Sequence, residues 1–354
     1  MPYKILPSDV SLIKRLAETP GLPGRESLVV EVIKAELPQD TWHCHVDPVG
    51  NLTARKQGKG KKLLFIAHTD EVGLIVRRIT PEGFLKVERL GGMGLQVLPG
   101  SAFDLWTNEK WFDALVGCPA AHLENGGPDK LNLQEMYVDV GATSKEEVLS
   151  WGINVGDGLT WKFDFCQLPG NRIRSKALDD RLGCFALIKL AHAFDDVEVD
   201  YDITLGFVSQ EESMLFESAP VVSAVEPDVV IGIDGTLTFD TPDGVEPQCD
   251  IELGKGPTIK LMDAIRGKMG YLPNWDLTQK IIRFMVSSGF SYQREVVVNI
   301  STALSLVPFM RSGLETACLS LPIRYHHSAV EVADLSDLEI LINVLKAMIL
   351  EGVV

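Results

Sequence analysis

Residues 62–71 read KLLFIAHTDE, an apolar run that ends in His68 and Asp70. A continuous apolar run of this length is typical of a strand that is buried on both faces of a sheet. A histidine at the end of such a strand can bind a metal ion, and a carboxylate two residues later can orient the imidazole. Taken alone, a turn with a surface histidine explains the pair better. The segment therefore predicts an α/β sheet, and the metal-binding interpretation depends on the residues at the ends of the other strands.

Residues of metal-binding type also adjoin the other elements of the predicted α/β part. Glu211 and Glu212 follow a predicted strand at 202–208, Asp234 follows one at 229–233, His326 and His327 follow one at 317–321, and Asp179 and Asp180 precede a predicted helix at 181–193. Adjacent aspartates before a helix are also common N-caps. In an open α/β sheet, however, ligands gather beyond the carboxyl ends of the strands, and imidazole and carboxylate together suit zinc, cobalt or manganese. We therefore interpret the joint pattern as a metal site.

The sequence pattern changes between residues 72 and 165, where short alternating apolar runs are separated by glycine and proline. Such spacing indicates a small β-rich module rather than βαβ units. One helix is predicted within it, from Ser144 to Trp151, with Ser144 as its N-cap. The pattern predicts an α/β domain formed by residues 1–71 and 166–354, split by an inserted β-rich domain at 72–165.

Composition limits the classes of partner. The 354 residues include 33 basic and 49 acidic side chains, and the formal net charge of −16 would repel a phosphate backbone, which excludes nucleic acid as a partner. We find no secretory signal, and the apolar stretch 340–349 is too short to span a bilayer. The six cysteines are scattered without C-x-x-C spacing. We therefore expect a cytoplasmic protein without a membrane partner.

Five ordered motifs resemble those of a known family. They are AHTDEVG at 67–73, SKALDDRLGC at 175–184, SQEES at 209–213, GIDGT at 232–236 and LPIRYHHSAVE at 321–331. In this order they are similar to the dinuclear metallo-aminopeptidases of peptidase family forty-two. That family includes tetrahedral (TET) and glutamyl aminopeptidases, and some of its members are labelled endoglucanases. The resemblance covers nearly the whole chain.

The resemblance implies a fold and an assembly. The fold would be zinc-exopeptidase-like, with a central mixed sheet flanked by helices and an inserted PDZ-like β domain. That domain would form dimers, and the dimers would build a hollow dodecamer that admits only short peptides. The α/β part would then be the catalytic metallopeptidase domain, and the activity would be the removal of N-terminal residues from short peptides.

The resemblance also implies a role for each matching residue. Two divalent metal ions per subunit would be bound, with zinc as the first expectation and cobalt or manganese as alternatives, by His68, Asp179, Glu212, Asp234 and His327. Asp179 would bridge both ions, through a cis peptide bond to Asp180. Asp70 would orient His68, and Glu211 would be the general base. His327 is preferred to His326 because the family's histidine directly precedes the serine.

The chain departs from the family pattern at two places, and alternatives stay open for that reason. Ser213 and Met214 stand where the family has Val-Gly, and residues 300–303 read ISTA where the family has Gly-Thr-Asp-Ala, so that Thr302 replaces an acid near the substrate pocket. One alternative is a non-catalytic assembly protein that retains the metal site. A second is action on glycosides, which ranks lower because glycosidases typically use two opposed carboxylates without a metal pair.

Overall fold

The computed structural model describes residues 2–107, 110–118, 131–213, 216–242, 246–264 and 270–354. Its helices are α1 (Pro7–Glu18), α2 (Ser27–Glu36), α3 (Lys145–Ser150), α4 (Leu178–Ala193), α5 (Ala219–Val225), α6 (Trp275–Ser287) and α7 (Leu335–Leu350). In the described part of the chain, none of these helices is both long and apolar enough to cross a membrane.

The strands form three groups. They are β1 (His43–Val46), β2 (Leu52–Lys56), β3 (Lys62–His68), β4 (Gly73–Ile79), β5 (Leu85–Leu90), β6 (Ala102–Trp106), β7 (Trp111–Val116), β8 (Val138–Asp139), β9 (Gly158–Trp161), β10 (Cys166–Leu168), β11 (Arg172–Ser175), β12 (Asp202–Val208), β13 (Val229–Leu237), β14 (Thr258–Ala264), β15 (Gln293–Val298), β16 (Glu315–Ile323) and β17 (Glu331–Asp334). An eight-stranded sheet, a closed barrel and a three-stranded sheet β10-β11-β17 account for all of them.

The eight-stranded sheet has the order β1-β2-β12-β3-β13-β16-β14-β15. Its four central strands, from β12 to β16, run parallel to one another. Antiparallel pairs flank them, because β2 pairs with β12 and β14 pairs with β16 in that sense. The carboxyl ends of the four central strands therefore lie at one edge of a mixed sheet, as the sequence predicts.

Burial on both faces explains the continuous apolar run in β3. Leu63 and Phe65 pack into a large core with residues of α1, α2, α4, α6 and α7. Leu64 and Ile66 point to the opposite face, where they pack with Val221 and its neighbours from α5. Neither face of β3 meets water, so the polar residues appear only where the strand ends.

Strands β4 to β9 close into a barrel in the order β4-β5-β8-β7-β6-β9, with an apolar core of its own. Within that core Phe103 stacks on Trp161, with ring centroids 4.3 Å apart. Helix α3 is the predicted one, and the hydroxyl of Ser144 accepts the N–H of Glu147 at 3.2 Å. These elements fall within the segment 72–165 that the sequence predicts to be β-rich, and the division into two domains at those boundaries stays a prediction.

Strands β13 and β16 are longer than predicted, and strand β14 of the same sheet is missed. Strand β13 does not end before Asp234 but continues to Leu237, because its pairing with β16 persists after its pairing with β3 stops at Gly232. Strand β16 is correspondingly longer than 317–321. Asp179 and Asp180, at the start of α4, have non-helical backbone angles, so the regular part of this helix begins at Arg181, as the sequence predicts. Strand β14 escapes the sequence pattern because charged residues interrupt its apolar run.

Candidate metal centre

The parallel strands bring the predicted ligands to one edge of the sheet. β3 ends in His68, β12 is followed by Glu211 and Glu212, and β13 carries Asp234 three residues before its end. The turn after β16 carries His326 and His327, and the first turn of α4 carries Asp179. We call these seven residues the site cluster.

One half of the site cluster surrounds His68, which is almost fully buried. Its Nε2 lies 3.3 Å from Oδ1 of Asp179 and 3.9 Å from Oδ1 of Asp234. The N–H of Gly235 donates to the same Asp179 oxygen at 3.1 Å, and a Cβ on Gly235 would lie 2.6 Å from that oxygen. Glycine at 235 therefore permits this close approach of backbone to carboxylate.

The other half of the site cluster surrounds Oδ2, the second carboxylate oxygen of Asp179. Nε2 of His326 is 2.9 Å and Nε2 of His327 is 3.3 Å from Oδ2. Oε1 of Glu212 lies 3.1 Å from Nε2 of His327. Asp179 thus faces both halves with different oxygens, and its peptide bond to Asp180 is cis, as the resemblance implies. The structure brings both histidines to Asp179, and only His327 also contacts Glu212 among the described ion pairs.

Asp70 has two sets of contacts. Its Oδ1 is 3.4 Å from Nδ1 of His68, which fits the predicted orienting role. The same carboxylate accepts the backbone N–H of Glu211 at 3.0 Å and that of Glu212 at 2.9 Å. Asp70 therefore fixes the loop that carries both glutamates as well as the histidine, a contact that the sequence pattern does not reveal.

Two buried glutamates, Glu26 and Glu331, accept hydrogen bonds from the backbone of the loops that carry the site cluster. The sequence pattern predicts neither contact. Glu26 accepts the N–H of Gln210 at 2.9 Å and that of Gly24 at 2.7 Å. Glu331 accepts the N–H of His327 at 2.9 Å and that of Asp179 at 3.2 Å. Glu331 belongs to the motif at 321–331, but a residue four positions after a histidine gives no signal of this contact.

The carboxyl groups of the site cluster crowd one another in a region shielded from water. Burial raises the pKa of Asp234 well above its usual value, and the charge of Asp179 adds to the effect. Burial also raises the pKa of Glu211, with further increases from the charges of Asp234 and Glu212. Burial alone would lower the pKa of His327, but the charge of Glu212 and a hydrogen bond to Asp179 raise it well above its usual value. These shifts indicate that the carboxyl groups of the site cluster favour binding either protons or a cation.

The donor set suits a divalent metal ion. One oxygen or nitrogen from each of His68, Asp179 and Asp234 lies within 4.8 Å of the others, and the same holds for Asp179, His326 and His327. Nε2 of His326 is buried and has no aligned hydrogen bond among the residues that the structure describes. Imidazole nitrogen and carboxylate oxygen are the ligands of zinc and of neighbouring first-row metals. These residues therefore fit the metal that the sequence predicts.

A cleft of about 490 Å³ opens over the site cluster, and we call it the first cleft. Four carboxylates line it, from Asp179, Glu211, Glu212 and Asp234. Its far wall comes from Leu237 and residues 299–301, and Gly92, Gly94 and Gln96 reach it from the loop after β5. A molecule bound there would meet the site cluster on one side and the barrel's loop on the other.

A family model described as M42 glutamyl aminopeptidase matches residues 50–344. The chain belongs to this family. The match spans every member of the site cluster, and the resemblance drawn from the five motifs is thereby confirmed. Membership makes the chain an aminopeptidase, a hydrolase of peptide bonds.

Individual M42 relatives resemble the chain over nearly its whole length. It is 30% identical over 353 residues to the lysyl aminopeptidase of Pyrococcus furiosus, which covers 97% of each chain. Among solved structures, an aminopeptidase from the archaeon Desulfurococcus kamchatkensis is 30% identical, with a TM-score of 0.89 over 97% of this chain and 94% of that one. The TET1 peptidase of Pyrococcus horikoshii, described as assembling into a tetrahedron or a large octahedral shell, is 29% identical, with a TM-score of 0.85 over 96% and 99%.

The two departures from the M42 motif pattern fall beside the site cluster. Ser213 is exposed at the end of a single 3₁₀ turn, Glu211–Ser213, within the loop that carries both glutamates, and Met214 lies outside the described residues. Thr302 is 2% exposed, and its hydroxyl lies 3.5 Å from Oδ2 of Asp263. Asn299, Ile300 and Ser301, rather than Thr302, line the first cleft. Position 302, where the family pattern has an acid, therefore lies next to residues of the cleft wall but does not itself line the cleft.

Proposed function

We propose that this aminopeptidase is metal-dependent and removes N-terminal residues from short peptides, with Glu211 as its general base. The proposal rests mainly on the position of Asp179. One of its carboxylate oxygens faces His68, and the other faces His326 and His327. His68, Asp179 and Asp234 would hold one divalent ion, and Asp179, Glu212 and His327 would hold a second. Zinc is the first expectation, and cobalt and manganese accept the same ligands.

Bound ions of this kind supply Lewis acidity, which lowers the pKa of a water molecule and polarises a carbonyl group. Glu211 lines the first cleft beside the proposed ligands and would not be needed as one of them. A carboxylate in that position can take a proton from water. It would then pass that proton to the leaving amine. Asp70 and Glu26 hold the loop that presents Glu211, because they accept the N–H groups of residues 210–212.

The acidic first cleft supports exopeptidase action. A peptide's free α-amine carries a positive charge near neutral pH, and the carboxylates that line the first cleft attract it. An internal segment of a peptide has no such charge at the scissile bond. The cleft therefore favours cleavage next to the N-terminus, and its carboxylates do not by themselves choose the first residue's side chain.

We also propose that copies of the chain assemble, with the barrel as a PDZ-like dimerisation domain and a dodecamer as the final state. Support comes from the solved TET1 peptidase structures, one of which is described as a dodecamer. Size-exclusion chromatography with light scattering tests this part separately. A mass of about twelve subunits is expected, and a stable monomer would contradict it.

Glycoside hydrolysis has no support in the site geometry. The carboxylates of the site cluster meet histidines and each other, as in a metal site, rather than facing one another across an otherwise unoccupied sugar pocket. The non-catalytic alternative rested on Ser213-Met214 and on Thr302, but Ser213 is exposed and Thr302 does not line the first cleft. We therefore propose neither.

The test is a panel of aminoacyl amides, one for each class of first residue. The panel is run on metal-stripped protein, and again after zinc, cobalt or manganese is restored. We expect no turnover without metal, and turnover of at least one amide when one of the metals is present. Equal turnover with and without metal would contradict the proposal. So would the absence of turnover with every metal, if the protein is shown to bind metal.

A further inference from the structure

A second cleft, of about 740 Å³, adjoins the first one and has no part in the proposed chemistry. The two clefts share Gln96 and His326 as lining residues. One wall of the second cleft comes from the barrel, through residues 96–102 and 161–163, and the other comes from the turn 325–330. A chain that left the first cleft past Gln96 and His326 would enter the second.

The second cleft differs from the first in charge. Half-buried apolar side chains line it, among them Val97, Ala102, Phe163, Ala329 and Val330. No aspartate or glutamate is among its described lining residues, whereas four line the first cleft. Its cation, Lys162, is engaged in ion pairs with Asp104 and Asp113. An ammonium group is therefore drawn to the first cleft, and a neutral apolar group is suited to the second.

Exopeptidase action fixes which part of a peptide enters each cleft. An aminopeptidase holds one residue on the amine side of the scissile bond, and the rest of the peptide lies on the other side. The first cleft is smaller, and its carboxylates attract the positively charged α-amine of that one residue. The larger cleft is then left for the residues on the carboxyl side of the scissile bond.

We propose that the second cleft binds the second residue of the peptide substrate and selects for a bulky apolar side chain there, such as leucine or phenylalanine. This inference rests on the proposed aminopeptidase function. Burial of one apolar group typically changes kcat/KM by about ten- to two-hundred-fold. Peptides with leucine or phenylalanine second should exceed those with glycine second by a factor in that range.

The first experiment uses the wild-type protein with metal restored. The first residue is held at the best one found among the aminoacyl amides, and the second residue of a tripeptide is varied through glycine, alanine, leucine and phenylalanine. We expect kcat/KM to rise along the series by about ten-fold or more. Hydrolysis of amides together with a flat series would overturn this inference while leaving the proposed function intact. No hydrolysis of any amide would instead overturn the proposed function.

The second experiment fills the second cleft. Ala102→Phe adds a ring from the barrel wall, away from the turn that carries the two histidines, and Val97→Phe does so from a neighbouring position. In either variant the ratio of kcat/KM for leucine over glycine as second residue should fall to about one. Val155→Phe, at a barrel residue that is 62% exposed and lines neither cleft, should leave the ratio unchanged.

Two outcomes of that experiment would overturn the inference. One is an unchanged ratio in a folded Ala102→Phe or Val97→Phe variant. The other is a changed preference among aminoacyl amides, which have no second residue, since this would mean that the cleft binds the first residue's side chain. The wild-type series needs no variant and decides the matter if both variants fail to fold.

Discussion

Two groups of buried charges lie on the same sheet and are neutralised in different ways. Lys260 and Glu295 are both fully buried and form an ion pair, and the hydroxyls of Thr258 and Thr236 donate to the glutamate at 2.5 and 2.8 Å. This group, which we call the Lys260 pair, balances its own charge. Asp179 and Asp234 of the site cluster are also buried, but in the described part of the chain their ion pairs are with histidines, not with lysine or arginine.

The pKa shifts reflect this difference. Burial alone would lower the pKa of Lys260, but the charge of Glu295 raises it, so the lysine stays protonated. In the site cluster, burial and the charge of Asp179 raise the pKa of Asp234, and the charges of His68 and Lys260 offset this rise only in part. A buried ion pair neutralises its own charge and needs no ligand. A buried group with excess negative charge can instead be neutralised by a bound cation. In this molecule, charge balance distinguishes the structural cluster from the candidate binding site.

The largest expected effect comes from the base within the site cluster. Glu211→Gln keeps the shape of the side chain but cannot take a proton, so kcat on the best aminoacyl amide should fall about 10²- to 10⁴-fold. Metal binding should persist, because Glu211 is not a proposed ligand. Steady-state kinetics and metal content measure the two effects. The matched control Glu198→Gln changes an exposed glutamate and should leave kcat unchanged. Full activity in Glu211→Gln would remove it from the mechanism.

Breaking the Lys260 pair should cost stability whether or not metal is present. Lys260→Met leaves Glu295 buried without its cation, a change that typically costs about 3–5 kcal/mol. Denaturant unfolding measures the loss, and the exposed Lys255→Met should stay within about 0.5 kcal/mol of wild type. The double variant Lys260→Met/Glu295→Gln should recover part of the stability, because no unpaired charge remains. A Lys260→Met protein as stable as wild type would refute the proposed role of the pair.

A smaller effect on activity is expected at Glu26, which holds the loop that carries Glu211. Glu26→Ala removes the acceptor for the N–H groups of Gln210 and Gly24, so the loop before Glu211 loses one of the contacts that hold it. Residues that orient a metal site in this way typically contribute about 10- to 100-fold to activity. We expect a loss of that size in kcat with little change in KM. Glu26→Gln retains an acceptor oxygen and should recover most of the activity. Equal losses in both variants would mean that the charge, not the hydrogen bonds, matters.

Most members of the site cluster are predictable from the sequence because they lie at or near the ends of strands whose apolar runs are short and local, whereas Asp179 precedes a helix. His68 and Glu211 each come within three residues of such a run, and parallel strands bring their ends together. Glu26 and Gln210, by contrast, are 184 residues apart, and nothing near either position indicates their contact. Strand β14 was not predictable for a related reason, since Lys260 is acceptable inside a sheet only because Glu295 pairs with it from 35 residues away.

The most direct test of the account is metal-linked unfolding of wild-type and Asp234→Asn protein, each stripped of metal and then supplied with zinc, cobalt or manganese. The account predicts that at least one metal stabilises the wild type, by about 2.7 kcal/mol when present at one hundred times its Kd. Asp234→Asn removes a ligand and a crowded charge, so the stripped variant should be at least as stable as the stripped wild type and should gain far less from metal. If the wild type unfolds identically with and without every metal, the site cluster does not need a cation and the account is wrong.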